Sequence, residues 1–129
     1  MADNGQAANI GERERLLLMS AALHGTPPGG EMRANCVRVL LQALRWAGLW
    51  NEQLEYDLRT DTTNAVVDDW YRTLIAMTRS RDESLIEGGG NLGSPVDPPA
   101  YPNYTACRLT AKGRELAKRL FELHPECRV

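Results

Sequence analysis

Apolar residues recur every three or four positions along much of the chain, and this spacing predicts amphipathic helices. The first predicted helix spans residues 12–24, where Leu16, Met19 and Leu23 form the stripe. A second helix is predicted over residues 35–47. Apolar residues cover most of its circumference, which is typical either of a central buried helix or of a helix that also meets a partner.

Two further helices are predicted downstream of Gly48, which ends the second one. Asn51 can cap a short helix that carries Leu54 and Leu58 four residues apart. A longer helix is predicted over residues 63–78. The chain therefore contains a helix, a short helix, a turn and another helix in sequence.

A β-hairpin is predicted where the helical period stops. Residues 84–87 and 104–109 are the expected strands, and a Gly- and Pro-rich stretch joins them. So long a connection is either a flexible tip or an ordered functional loop. Thr110 is expected to cap a last helix, which Pro125 ends.

These elements predict one domain over residues 12–124, flanked by a disordered tail at 1–11 and a second tail at 125–129. Within that domain the helix at 12–24 is an extra N-terminal helix, and residues 88–104 form a long loop. A chain of 129 residues with 43% hydrophobic residues is ordinary material for one core.

Two stretches of this sequence resemble the winged helix-turn-helix family. The run from Ser84 to Gly88 (Ser-Leu-Ile-Glu-Gly) is similar to the place where such domains enter the first wing strand. The run from Arg108 to Ala117 (Arg-Leu-Thr-Ala-Lys-Gly-Arg-Glu-Leu-Ala) resembles the second wing strand and following helix of many bacterial winged-helix regulators. The resemblance implies a mainly α fold with a small β-hairpin, a winged helix-turn-helix with extra N-terminal and C-terminal helices. It also implies duplex DNA binding through the third helix and the wing.

The charge of the segment that would face DNA has the opposite sign from that expected. Residues 51–70 contain six acidic residues and one base, Arg59, a net charge of −5. Phosphate neutralisation supplies most non-specific affinity for DNA, so this surface repels a polyanion. Residues 88–106 contain no Lys or Arg, and their tyrosines stand near prolines, a composition suited to contact with protein.

The first functional prediction is therefore a winged-helix-like protein-interaction or dimerisation module without catalytic activity. Its partner is another protein or a second copy of the chain, bound through the helix of Leu16, the stripe that carries Trp46 and Trp50, or the tyrosines of the loop. The predicted partner-binding residues are Trp46, Trp50, Tyr101 and Tyr104.

The alternative prediction is a DNA-binding transcriptional regulator of the winged helix-turn-helix type. Positive charge collects near the end of the chain, where residues 105–123 carry a net charge of +3. The residues predicted to bind duplex DNA in this alternative are Arg72, Arg79, Arg81, Arg108, Lys112 and Arg114.

No motif for catalysis, a cofactor or a metal emerges from the sequence. The glycines that follow Glu87 lack the Gly-Lys-Ser/Thr continuation of a phosphate loop. Asp68 and Asp69 would point about 100° apart on a helix, so they cannot act as a carboxyl pair. His124 and Cys127 have a spacing suited to metal ligands but lack a second pair.

Composition completes these expectations. The net charge of −2 provides no general attraction for nucleic acid or anionic membranes. Three irregularly spaced cysteines suit a reducing compartment, and the sequence shows neither a signal peptide nor a membrane span. The predicted location is cytoplasmic, with no membrane partner.

Overall fold

The computed structural model of the protein describes residues 10–24, 36–60, 62–78, 84–90 and 105–127, with the backbone alone at 88–90 and 105–106. The described residues form five α-helices: α1 Glu12–His24, α2 Cys36–Trp46, α3 Glu52–Arg59, α4 Ala65–Thr78 and α5 Ala111–Leu123. Strands β1 Ile86–Gly90 and β2 Thr105–Leu109 form an antiparallel hairpin, and a 3₁₀ helix follows at Pro125–Cys127. The predicted mainly α chain with a small β-hairpin is confirmed.

Helix α1 occupies the centre of the core. It packs against α2, α4, α5 and β2, and six consecutive residues from Leu16 to Ala21 are buried. A helix with neighbours on several sides buries its whole circumference. This helix was predicted to be an addition to the domain and one candidate partner surface. The structure instead places Leu16 in the interior, while Leu23 at the end of α1 is 43% exposed.

Helix α2 lies against α1 and is also largely internal. Seven of its eleven residues are buried, whereas Arg38 and Arg45 are exposed on the narrow polar side of the helix. One polar contact crosses the interface: the hydroxyl of Ser20 donates a hydrogen bond to the backbone carbonyl of Val39 at 2.6 Å. The hydroxyl is fully buried, so this bond offsets the cost of its desolvation.

Side chains at the helix ends hold α3 and α4 in place. The side chain of Asn51 accepts a hydrogen bond from the Leu54 N–H at 2.7 Å, as predicted for a cap. Helix α4 begins at Ala65, two residues later than predicted, because the Asn64 side chain accepts the free N–H groups of its first turn.

A buried carboxylate connects the same two helices. Asp57 on α3 is only 7% exposed. It accepts hydrogen bonds from the Gln53 amide at 2.8 Å and from the Asn64 amide at 2.9 Å. Asn64 thus caps α4 and contacts α3 at once, which fixes the turn between them.

The hairpin pairs Ile86 with Leu109 and Glu87 with Arg108. Strand β1 begins two residues later than predicted and extends to Gly90, into the segment expected to be loop. The reason is a contact with the far side of the hairpin, since the backbone carbonyls of Ser84 and Leu85 accept hydrogen bonds from Thr110 and are turned away from the ladder.

The hairpin joins α5 within residues 108–117, the run that resembles winged-helix regulators. The contacts at this junction give a physical reason for several of its residues. Leu109 is buried, as expected, and Thr110 caps α5 by accepting a hydrogen bond from the Gly113 N–H at 3.0 Å. Gly113 has a role that is not evident from the sequence. A side chain there would collide with the carbonyl of Leu85, so only glycine permits this approach.

Both ends of the described core include residues predicted to be tails. Ile10 is partly buried against the core, and Cys127 in the 3₁₀ helix is buried. Residues 1–9 and 128–129 lie outside the described part of the chain. The described core therefore begins earlier and ends later than the predicted domain.

Candidate protein-interaction surface

An exposed tryptophan stands where the chain passes from α2 into α3. Gly48 ends α2 in the left-handed conformation, with φ of +75°, and its N–H donates to the Arg45 carbonyl at 3.0 Å. The Leu49 N–H donates to the Leu44 carbonyl at 2.9 Å. This pair of bonds is a Schellman motif, which stops the helix and directs the next residues outward. Leu49 and Trp50 are consequently 42% and 38% exposed.

The ring of Trp50 is held in place although it faces solvent. Its Nε1–H donates a hydrogen bond to a Glu55 carboxylate oxygen at 2.8 Å. The guanidinium carbon of Arg45 lies 5.4 Å from the centre of the ring, within the range of a cation–π contact. Two contacts from two helices therefore define the position of the ring.

The carboxylate of Glu55 contacts three side chains in this part of the surface. It forms ion pairs with Arg45 at 3.3 Å and with Arg59 at 2.9 Å, in addition to the bond from Trp50. The hydrogen bonds from Trp50 and Arg59 lower the pKa of the Glu55 carboxyl, so it stays ionised at a lower pH than an ordinary glutamate does. The carboxylate offsets one of the two guanidinium charges that contact it.

Helix α3 extends this surface on its outer face. Leu54 and Leu58 point into the core, whereas Tyr56 is 62% exposed and Arg59 is also exposed. Tryptophan, tyrosine and arginine are the residue types that dominate the energetics of protein interfaces. We call this surface the Trp50 corner, and its residues are Arg45, Leu49, Trp50, Glu55, Tyr56 and Arg59.

The other residues predicted to bind a partner are placed differently. Trp46 is half-buried, and its ring meets Phe121 of α5 edge-on, with the ring centres 6.4 Å apart. It therefore packs α2 against α5 within the chain. Tyr101 and Tyr104 lie outside the described residues, so the structure does not place them.

The residues of the DNA-binding alternative are spread over several elements. Arg108 forms an ion pair with Glu87 across the hairpin at 2.6 Å, which offsets its charge. Lys112 and Arg114 are exposed on the first turn of α5, and Arg72 is exposed on α4. Arg79 and Arg81 belong to the segment that the structure does not describe. Among the described candidates, the side chain of Arg108 is thus already engaged within the protein.

Helix α4 would be the DNA-reading helix of a winged-helix domain. Arg13 of α1 lies over one of its sides, with its guanidinium carbon 5.3 Å from the centre of the Trp70 ring. Arg13, Glu14, Asp69 and Arg72 then line a shallow groove between α1 and α4. The groove carries equal numbers of positive and negative side chains, so it offers no net attraction for phosphate.

In the structure, two of the acidic side chains of residues 51–70 are engaged within the protein. Asp57 is buried and hydrogen-bonded, and Glu55 is paired with two arginines, so neither presents a free charge to solvent. Glu52 and Asp69 remain exposed. The repulsion of a polyanion by this surface is therefore weaker than the sequence count indicates.

Trp50 was predicted from the sequence, whereas the side chains that hold it were not. The spacing of Glu55 and Arg59, four residues apart on one helix, was an available signal for an ion pair. The contact of Arg45 with Trp50 was not readable in the same way, because it depends on the path of the chain through the turn at Gly48.

In the described part of the chain, no helix is both long and apolar enough to cross a bilayer. The same residues contain no group of three side chains suited to hold a metal ion. The chain matches no model of a protein family, and comparison with curated proteins and with solved structures finds no similar protein.

Proposed function

We propose that the protein is a non-catalytic protein-interaction module of winged-helix-like architecture, which docks its partner through the Trp50 corner. The observation that carries this proposal is the Trp50 side chain, 38% exposed and yet held by Glu55 and Arg45. A side chain that is already ordered loses little conformational entropy when a partner covers it. Trp50 is therefore prepared to serve as an anchor.

The chemistry of the corner describes the partner. Trp50, Tyr56 and Leu49 are exposed apolar side chains, and an apolar pocket or groove on the partner would bury them. Arg45 and Arg59 are each more than half exposed despite their contacts with Glu55, so they can also pair with acidic groups at the edge of that pocket. A protein surface with an apolar centre and an acidic rim fits both requirements, and self-association of this chain is tested as one case.

The test compares the Trp50→Ala and Tyr56→Ala variants with wild type, and Leu23→Ala serves as the matched control. Leu23 is exposed to a similar extent but lies on α1, so its truncation leaves the Trp50 corner unchanged. Self-association is measured by sedimentation velocity over a range of concentrations, and other partners by quantitative affinity capture. We expect each of the two corner variants to weaken the interaction by at least about tenfold, as for an interface hot spot. Equal binding by wild type and Trp50→Ala would contradict the proposal.

The DNA-binding alternative rests on the exposed Lys112 and Arg114 of α5 and on Arg72 of α4. It is tested separately with a fluorescence titration of random duplex DNA at low salt. A DNA reader binds with an affinity that falls steeply as salt rises. Such binding, lost in Lys112→Glu combined with Arg114→Glu and retained in Trp50→Ala, would favour the alternative.

A further inference from the structure

Two buried thiols meet at the boundary between α2 and the hairpin. Cys36 is the first residue of α2, and Cys107 lies in the middle of β2, where it pairs with Gly88. Helix α2 packs against β2, and both cysteine side chains are fully buried in the same core. A hydrogen bond with Cys36 is the first cause of a raised pKa of the Cys107 thiol, which places the two thiols next to each other. Residues far apart in the sequence thus bring two thiols together inside the core.

The surroundings keep this pair reduced while the core is closed. The hydrogen bond with Cys36 and burial raise the pKa of the Cys107 thiol, so it remains protonated at neutral pH. A thiol must become a thiolate before it attacks a disulfide. Reaction therefore requires an opening that admits water and the oxidant.

Cys36 is better placed than Cys107 to react first. It occupies the end of a helix, and helix ends open more readily than the middle of an element. The N-terminus of a helix also favours the negative charge of a thiolate. Once Cys36 has reacted, and while the end of α2 is still open to water, Cys107 is the thiol beside it.

We propose that Cys36 and Cys107 form a redox modification site, which a small-molecule disulfide converts into an intramolecular disulfide bond. The Cys36 thiolate attacks one sulfur of the oxidant, forms a mixed disulfide and releases one thiolate. The Cys107 thiolate then attacks the Cys36 sulfur and releases the second. The two protons lost by the cysteines pass to the two released thiolates. The protein pair is thereby oxidised, and the small disulfide is reduced to two thiols.

The bond would join the start of α2 to the hairpin and close a long loop that contains α3 and α4. A crosslink of this kind restricts the unfolded chain much more than the folded one. The bond would join two side chains that are already neighbours in the native fold. We expect the oxidised protein to unfold at a temperature about 10 °C higher than the reduced protein.

The experiment treats the whole protein with oxidised glutathione at neutral pH, with and without urea below the unfolding transition. Intact mass, thiol counting and a peptide map are recorded before and after reduction with dithiothreitol. The expected product is a monomer that has lost two hydrogen atoms and two of its three free thiols, with Cys36 linked to Cys107. Thermal melts should show the stabilisation and its reversal.

Cys127→Ala is the matched control, because it removes the third buried thiol and should leave the crosslink intact. Cys36→Ala and Cys107→Ala should abolish it. The peptide map of wild type decides the matter even if those two variants fold poorly. Three free thiols retained under both conditions, a crosslink through Cys127 or a disulfide between molecules would each overturn the proposal.

Discussion

The substitution Gly113→Ala tests the junction between the hairpin and α5. An added Cβ at residue 113 would lie 2.9 Å from the carbonyl carbon of Leu85 and closer still to its oxygen. These are backbone atoms, so no side chain can rotate to relieve the contact. The same Leu85 oxygen accepts a hydrogen bond from the Thr110 N–H at 3.0 Å. Movement of either backbone therefore weakens the start of α5 as well.

The expected change in the free energy of unfolding is the sum of one stabilising and two destabilising effects. At an unobstructed position within a helix, replacement of glycine by alanine stabilises a protein by about 1 kcal/mol. Here overpacking against the backbone costs about 2 kcal/mol, and loss of the hydrogen bond at Leu85 costs about 1 kcal/mol more. Gly113→Ala should therefore lower the free energy of unfolding by about 2 kcal/mol. For a chain of this length that corresponds to a Tm lower by about 8 °C.

The assay is urea unfolding followed by far-ultraviolet circular dichroism, with a thermal melt as a second measurement. Gly48→Ala is the control, because no atom lies within 4 Å of its added Cβ and only its φ of +75° opposes the change. That backbone conformation costs an alanine about 1 kcal/mol. A Gly113→Ala protein as stable as wild type would show that the Leu85 carbonyl does not lie over the start of α5.

Three further predictions concern the polar contacts. Ser20→Ala should lower the free energy of unfolding by about 1 kcal/mol in urea titrations, because α1 and α2 lose their buried hydrogen bond. Asp57→Ala should cost about 2 kcal/mol, and Asp57→Asn less, since the asparagine retains one acceptor for the two amide donors. The Glu55 pKa is lowered in the folded state, so its contacts stabilise the fold above the unfolded pKa and are lost as the pH falls through the folded one. The fluorescence difference between wild type and Trp50→Phe should thus stay constant from neutral pH down to the ordinary pKa of a glutamate, about 4.3, and change only below it; a change near neutral pH would contradict this.

Local patterns in the sequence determined the helices and their caps. The spacing of Leu54 and Leu58, with Asn51 before them, defines α3 because helical period and capping act within a few residues. Thr110 marked the start of α5 for the same reason. The shift of β1 was not readable in this way, because it depends on the contact of Leu85 with Thr110 from the far side of the hairpin.

Which surfaces are exposed was decided only by the tertiary structure. The sequence could not show that α1 lies at the centre. An amphipathic stripe indicates that one face of a helix is buried, but it does not indicate whether other elements also cover the opposite face. Nor could it separate Trp46, packed against Phe121, from Trp50, held open to solvent by Arg45 and Glu55. Periodicity records the local conformation of the chain, whereas exposure depends on which distant segments come together, and that is settled only when the helices pack.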